Sequence, residues 1–124
     1  MIEHYEMSDA ASELNVRNVG SGLTYQVVGE GEAQVGMGFN TNPNIARYDL
    51  VALEDNNGFF PVYNPAPMIK QDTLESNSAV SQPLSDLVGT LSTETIRELN
   101  QRVSIDGEDA SSVARDHLSS NDLI

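Results

Sequence analysis

A chain of 124 residues is long enough for one domain, burying roughly two-thirds of the surface its unfolded form exposes. Nineteen acidic residues against six basic ones give a formal charge of −13, which repels phosphates and anionic headgroups and makes nucleic acid and membrane surfaces poor partners. No cysteine is present, so disulfides and thiolate metal sites are excluded, and no apolar run approaches the roughly 18 residues that would span a bilayer.

In chain order, Met7, Ala10, Ala11 and Leu14 sit at helical spacing and predict a helix within residues 2–13. The start, Met1 to Met7, has neither a basic nor an apolar run, so the chain as written is expected to lack a secretion signal and to stay inside the cell. Leu14-Asn15-Val16-Arg17-Asn18-Val19 alternates apolar with polar, the period of a half-buried strand. Gly20-Ser21 stops it, and Ser21 is the expected N-cap of a helix through Leu23, Tyr25, Val27 and Val28. Gly29-Glu30-Gly31-Glu32 ends that helix. Residues 33–39 then predict a second strand, in which Gly36 and Gly38 permit close backbone approach. Strand, helix and strand within about 25 residues form a βαβ signal and imply a parallel pair.

Pro43 opens a short helix over residues 43–48. Leu50-Val51-Ala52-Leu53 is a continuous apolar run, as expected of a buried strand. Residues 54–58 form a turn around Asn57-Gly58. Prolines at 61, 65 and 67 make residues 59–69 an extended, edge-like or crossover segment. Asp72 is expected to cap a turn containing Leu74. Val80, Leu84, Leu87, Val88 and Leu91 share one helical face. A helix beginning at Ser92-Thr93-Glu94-Thr95 carries Ile96, Leu99 and Val103. Asp106-Gly107 breaks it, and Asp109 starts a last helix with Val113, Ala114 and Leu118. The fold class is therefore α/β, with a βαβ first half and a helical carboxy-terminal half.

Little in the chain points to reaction chemistry. His4 and His117 lie far apart in polar surroundings, without partners at metal-ligand spacing, and are read as surface residues. Gly29 to Gly38 follows a helix rather than a strand, and Glu30 and Glu32 would repel a phosphate. The acid pairs Glu30/Glu32 and Glu54/Asp55 fall in turns, where solvated surface is the default. An aromatic and amide-rich patch remains: Tyr25, Phe39-Asn40-Thr41-Asn42 and Phe59 to Asn64. Ligands of open α/β sheets bind beyond the carboxyl ends of strands, so Phe39 to Asn42 is the best-placed ligand segment. On the residues alone, Phe39 serves core and site equally well. The acid excess, with Lys70 the single lysine, fits a protein built for concentrated salt, the alternative being an ordinary acidic mesophilic protein.

Ser21 to Gln26, Val35 to Asn42, Tyr48 to Asp55 and Gly58 to Pro67 together resemble the glycine betaine/carnitine/choline-binding proteins of osmoprotectant ABC importers. Thr93 to Asn100 and Val103 to Asp109 resemble that family's closing helices. The resemblance implies part of a type II periplasmic-binding-protein fold, two lobes around a cleft. Residues 1–41 would form part of the second lobe, and residues 42–124 the return crossover and the carboxy-terminal part of the first. It implies a substrate-binding protein, not an enzyme, working outside the membrane with an ABC permease. The ligand would be a quaternary ammonium caged by aromatic rings, with no cofactor. Phe39 takes the position of a cage aromatic, and Tyr25, Asn40, Thr41 and Asn42 are the accompanying candidates. Where the family usually has Ser-Thr-Asp-Gly, this chain has Asn40-Thr41-Asn42-Pro43, which removes a carboxylate from the cleft. The resemblance also implies a further portion upstream that holds most of the cage. The alternative is a self-associating, homodimeric module that no longer binds ligand.

Overall fold

The computed structural model describes residues 1, 3–11 and 13–124. Among the described residues, seven α-helices run in order: α1 (Ser8–Ala11), α2 (Thr24–Gly29), α3 (Asn44–Arg47), α4 (Gln71–Ser76), α5 (Ser81–Gly89), α6 (Thr93–Ser104) and α7 (Ala110–Ser120), with a 3-10 turn at Ser78–Val80 before α5. Among the described residues no helix is long and apolar enough to cross a membrane.

The last fifty residues follow their local signals. At the start of α6 the Ser92 hydroxyl accepts from the Thr95 amide, and at the start of α7 the Asp109 carboxylate accepts from the Ser112 amide. Each cap satisfies one of the four amides a helix start leaves open. Glu94 in the first turn of α6 is held below the usual carboxylate range by its own amide and the Ser92 hydroxyl. Gly107, at φ +74°, makes the left-handed turn that separates the two helices. Arg102 clasps the junction: it donates to both carboxylate oxygens of Glu108, at 2.8 and 2.6 Å, and to Asp116 at 2.8 Å. That fork holds Glu108 below the usual carboxylate range. Val113, 2% exposed, lies on α7, which packs against α6.

The first half departs from expectation. Residues 14–19, 33–39 and 50–53 form no strand among the described residues. A strand exists only where a neighbour takes up its N–H and C=O groups, and alternation along one segment specifies its faces without supplying that neighbour. The expected βαβ pairing is thus absent. Val51, expected in a buried strand, is 84% exposed, because no layer within these residues covers it. The helix expected within residues 2–13 shrinks to α1, with turns at residues 3–6; Ile2 and Ser12 lie outside the described residues. Ser21 does not cap α2. The chain turns first, the Leu23 amide donating to the Gly20 carbonyl at 2.8 Å, and Leu23 takes the cap position without a side-chain bond. Asp72 likewise falls inside the first turn of α4, with Lys70 at the cap.

Both histidines make contacts beyond solvent. His4 pairs through Nε2 with the Asn57 carbonyl at 2.9 Å, and its ring meets those of Tyr5 and Phe59. His117 Nε2 lies 2.9 Å from the Thr90 hydroxyl, tying α7 to the end of α5.

Candidate ligand-binding segment

Gly36 and Gly38 bring residues 35–39 directly onto α2. A Cβ at Gly36 would stand 2.6 Å from a Thr24 methyl, and one at Gly38 would stand 2.7 Å from the Tyr25 hydroxyl. Contacts that short cannot be accommodated without movement, so only glycine lets the backbone approach here. With the two glycines against the helix, the period of two puts Val35, Met37 and Phe39 together on the opposite face, and all three are exposed.

Tyr25 fixes the end of this segment. Tyr25 is buried, at 6% exposure. Its hydroxyl accepts from the Phe39 amide at 2.7 Å and donates to the Phe39 carbonyl at 3.3 Å. The same carbonyl accepts from the Asn42 amide at 3.0 Å, closing a turn through Asn40 and Thr41. The Asn42 side-chain oxygen accepts from the Asn44 amide at 2.9 Å and so opens α3. From the other side, α6 reaches across: Arg97 Nε donates to the Asn40 carbonyl at 2.7 Å and Asn100 Nδ2 to the Thr41 carbonyl at 3.2 Å. Residues 39–42 are therefore held by α2, α3 and α6, while the Phe39 ring remains 66% exposed. Backbone bonding consumes the groups of this segment that could otherwise fold away, and what it leaves facing outward is an aromatic face.

All five residues singled out in the sequence, Tyr25 and Phe39 to Asn42, thus stand in one place, in different settings. Phe39 and Asn40 are exposed, Thr41 and Asn42 half-buried, and Tyr25 lies underneath. The other part of the aromatic patch is elsewhere. Phe59 and Phe60 meet edge-to-face at 5.0 Å, and Phe59 also meets His4 and Tyr5. Asp55 organises this cluster, accepting from the Tyr5 hydroxyl and from the Phe59 and Phe60 amides at 2.9 and 2.7 Å. Those donors, the Tyr5 hydroxyl first, hold Asp55 below the usual carboxylate range, and the same bond pushes Tyr5 up. With its oxygens engaged in this way, Asp55 fixes the turn instead of offering charge to a ligand. Among the described residues, no three metal-ligating side chains converge. Sequence reasoning missed Arg97 and Asn100 as partners of the segment. Their spacing, three apart on a helix and beside the Ile96/Leu99/Val103 stripe, is the signal that marks one shared face.

The chain belongs to the family of substrate-binding domains of ABC-type glycine betaine transport systems, whose model matches residues 1–120. It is 32% identical over 82 residues to the glycine betaine-binding protein YehZ of Escherichia coli, covering 66% of this chain and 27% of that protein. It is 28% identical over 100 residues to the carnitine transport binding protein OpuCC of Listeria monocytogenes, covering 81% and 32%. It is 31% identical over 99 residues to CosB of Halobacterium salinarum, a substrate-binding protein of a chemotactic signal transduction system, covering 78% and 28%. The chain therefore spans about a third or less of these relatives' length. A crystal structure described as a glycine betaine/carnitine/choline ABC transporter superposes with a TM-score of 0.80 at 26% identity, covering 96% of this chain and 44% of that one. The fold is accordingly that of a substrate-binding protein, consistent with the periplasmic type.

Proposed function

We propose that this chain forms part of an extracytoplasmic receptor that captures a quaternary ammonium solute, such as glycine betaine or choline, for an ABC permease. The observation that carries the reading is Phe39. In a chain of this family, its backbone is bonded at both N–H and C=O while its ring stands open. A methylated ammonium has no N–H to donate, so an aromatic face is the group that recognises it, through cation–π attraction of about 0.5–2 kcal/mol per ring. Tyr25 acts from beneath as a positioning residue, and Asn40 to Asn42 shape the rim. Asn42 brings no charge, so the cation is held by rings without a fixed carboxylate at this position. Residues 1–41 belong to one lobe, and residues 42–124 to the return crossover and the other. Arg97 and Asn100 donate to Asn40 and Thr41, which supports reading the ring as part of the joint where lobe closure would act. Capture and release complete the task, and the ligand leaves chemically unchanged.

Calorimetry tests this reading. One ring cannot supply the roughly 4 kcal/mol that millimolar affinity requires, so these 124 residues alone should bind betaine more weakly than that. In a receptor restored to the full length of its relatives, Phe39→Ala should weaken binding by about 5- to 30-fold, and Phe39→Tyr should retain it. Normal betaine binding by a folded Phe39→Ala receptor would refute the assignment. A second reading, a self-associating module that binds no ligand, draws on the exposed Val35, Met37, Val51 and Leu53.

A further inference from the structure

Asn57-Gly58 is the single Asn-Gly pair in the sequence, and asparagine is one of the thermally labile residues. The side-chain carbonyl carbon of an asparagine can close a five-membered ring with the amide nitrogen of the next residue. A side chain on that next residue hinders closure, and glycine has none. The surroundings here are open: Asn57 is exposed, and a Cβ placed on Gly58 would meet nothing within 4 Å. Asn42 and Asn64 are followed by proline, which has no N–H to give up.

The peptide that would react is held at both ends. The Gly58 amide, the nucleophile of such a closure, donates to the Asp55 carbonyl at 3.2 Å. The Asn57 carbonyl pairs with His4 Nε2 at 2.9 Å, and a carbonyl oxygen only accepts, so Nε2 carries the proton. Peptide planarity ties the two groups together. To reach the Asn57 side chain, the Gly58 nitrogen must leave Asp55, and the same rotation takes the Asn57 carbonyl away from His4.

We propose that Asn57 is a site of spontaneous deamidation, gated by the two hydrogen bonds that His4 and Asp55 make to the 57–58 peptide. The Gly58 nitrogen passes its proton to hydroxide and bonds to Asn57 Cγ. The Cγ–Nδ2 bond breaks, and Nδ2 takes a proton back from water and leaves as ammonia, giving a cyclic imide. Water then opens the ring. Cleavage between Cγ and the Gly58 nitrogen leaves aspartate. Cleavage between the former main-chain carbonyl carbon and that nitrogen leaves isoaspartate, whose backbone runs through Cβ. Water is the only co-reactant consumed, and nothing is oxidised or reduced. Either product sets a new carboxylate two residues from Asp55, and isoaspartate adds a methylene to the backbone. The Asp55 carboxylate reaches forward over this stretch to the Phe59 and Phe60 amides. The added carbon therefore falls inside the turn that holds Tyr5 and Phe59 together, and conversion loosens the cluster. The inference rests on neither the family assignment nor betaine binding.

The test incubates the whole chain at mildly alkaline pH and follows each asparagine by peptide mapping, reading the replacement of NH2 by OH. Conversion should concentrate at Asn57, with isoaspartate among the products, and should run about tenfold faster in urea, where no opening of the turn is needed. His4→Ala should bring the folded rate toward the urea rate while α6 and α7 keep their amide protection, which shows the variant folded. His4→Gln, which keeps a side-chain N–H, should stay slower than His4→Ala. Tyr5 ring resonances should shift in step with conversion, and Asn57→Gln should stop both. Conversion absent from Asn57, or spread evenly over the asparagines, would overturn the site. A folded rate equal to that in urea, or unmoved by His4→Ala, would overturn the gate.

Discussion

Residues 71–120 carry their own instructions for starting and stopping, whereas residues 14–69 have no regular structure outside α2, α3 and the turns. In the first of these regions, Ser92 and Asp109 each accept from an amide three residues on, and Gly107 makes its left-handed turn between α6 and α7 by itself. In the second, Val16, Val35 and Val51 wait on partners that no neighbour in the sequence can specify. Local hydrogen bonding makes the helical region self-sufficient, and the other region depends on its surroundings. Phe39 sits where the two meet, bonded by Tyr25 of one region and followed by Asn40, whose carbonyl accepts from Arg97 of the other.

The sharpest way to break this difference is Gly38→Val. Its side chain would be driven into the Tyr25 ring, and overpacking of that kind costs about 1–3 kcal/mol. Denaturant titration should show the full loss, and residues 35–39 should detach from α2 while α6 and α7 keep their amide protection. Tyr25→Phe comes next. It removes the hydroxyl that pairs both Phe39 backbone groups, and a part-buried amide left unpaired costs about 1–3 kcal/mol. Its ring packing survives, so the loss should be confined to the segment around Phe39. Within the helical region, Ser92→Ala and Asp109→Ala should each cost about 1 kcal/mol, read as earlier fraying of α6 or α7 by circular dichroism, with residues 14–69 unaffected.

The smallest effect expected is one of pH. The Asp55 carboxyl is depressed when folded, so its hold on Tyr5, Phe59 and Phe60 is complete above the ordinary carboxylate range and is lost as pH falls through its lowered value. The Tyr5 phenol is raised, so that contact survives past the ordinary tyrosine range and is lost as pH rises through the higher value. The cluster should therefore hold throughout neutral pH, and Tyr5 ring resonances should shift only at the two extremes. Asp55→Asn should erase the acid step.

The sequence revealed the helical region in detail because its determinants are short-range. Ser92 and Asp109 were identifiable as helix starts, and Asp106-Gly107 as a break, from residues alone. The glycines at 36 and 38 were also legible as points of close approach, although not what they approach. Val51 was misjudged for an instructive reason: an apolar run states a demand for cover, not the source of it. Ser21 was misjudged because a turn at residues 20–23 fits as well as an immediate helix start. At the candidate site Phe39 was found from its place before a helix start and from family resemblance. Arg97 and Asn100 were not, since their contacts span 57 and 59 positions in the chain.

Tyr25 has a spectroscopic consequence. The chain contains four tyrosines and no tryptophan, so ultraviolet emission comes from phenols alone, with no indole to collect their excitation. Of the four, Tyr25 is the buried one and Tyr63 is exposed. A Tyr5→Phe, Tyr48→Phe, Tyr63→Phe triple variant would leave one native fluorophore whose hydroxyl touches the backbone of Phe39. A solute that settles on that ring would then announce itself in the light from the residue beneath it.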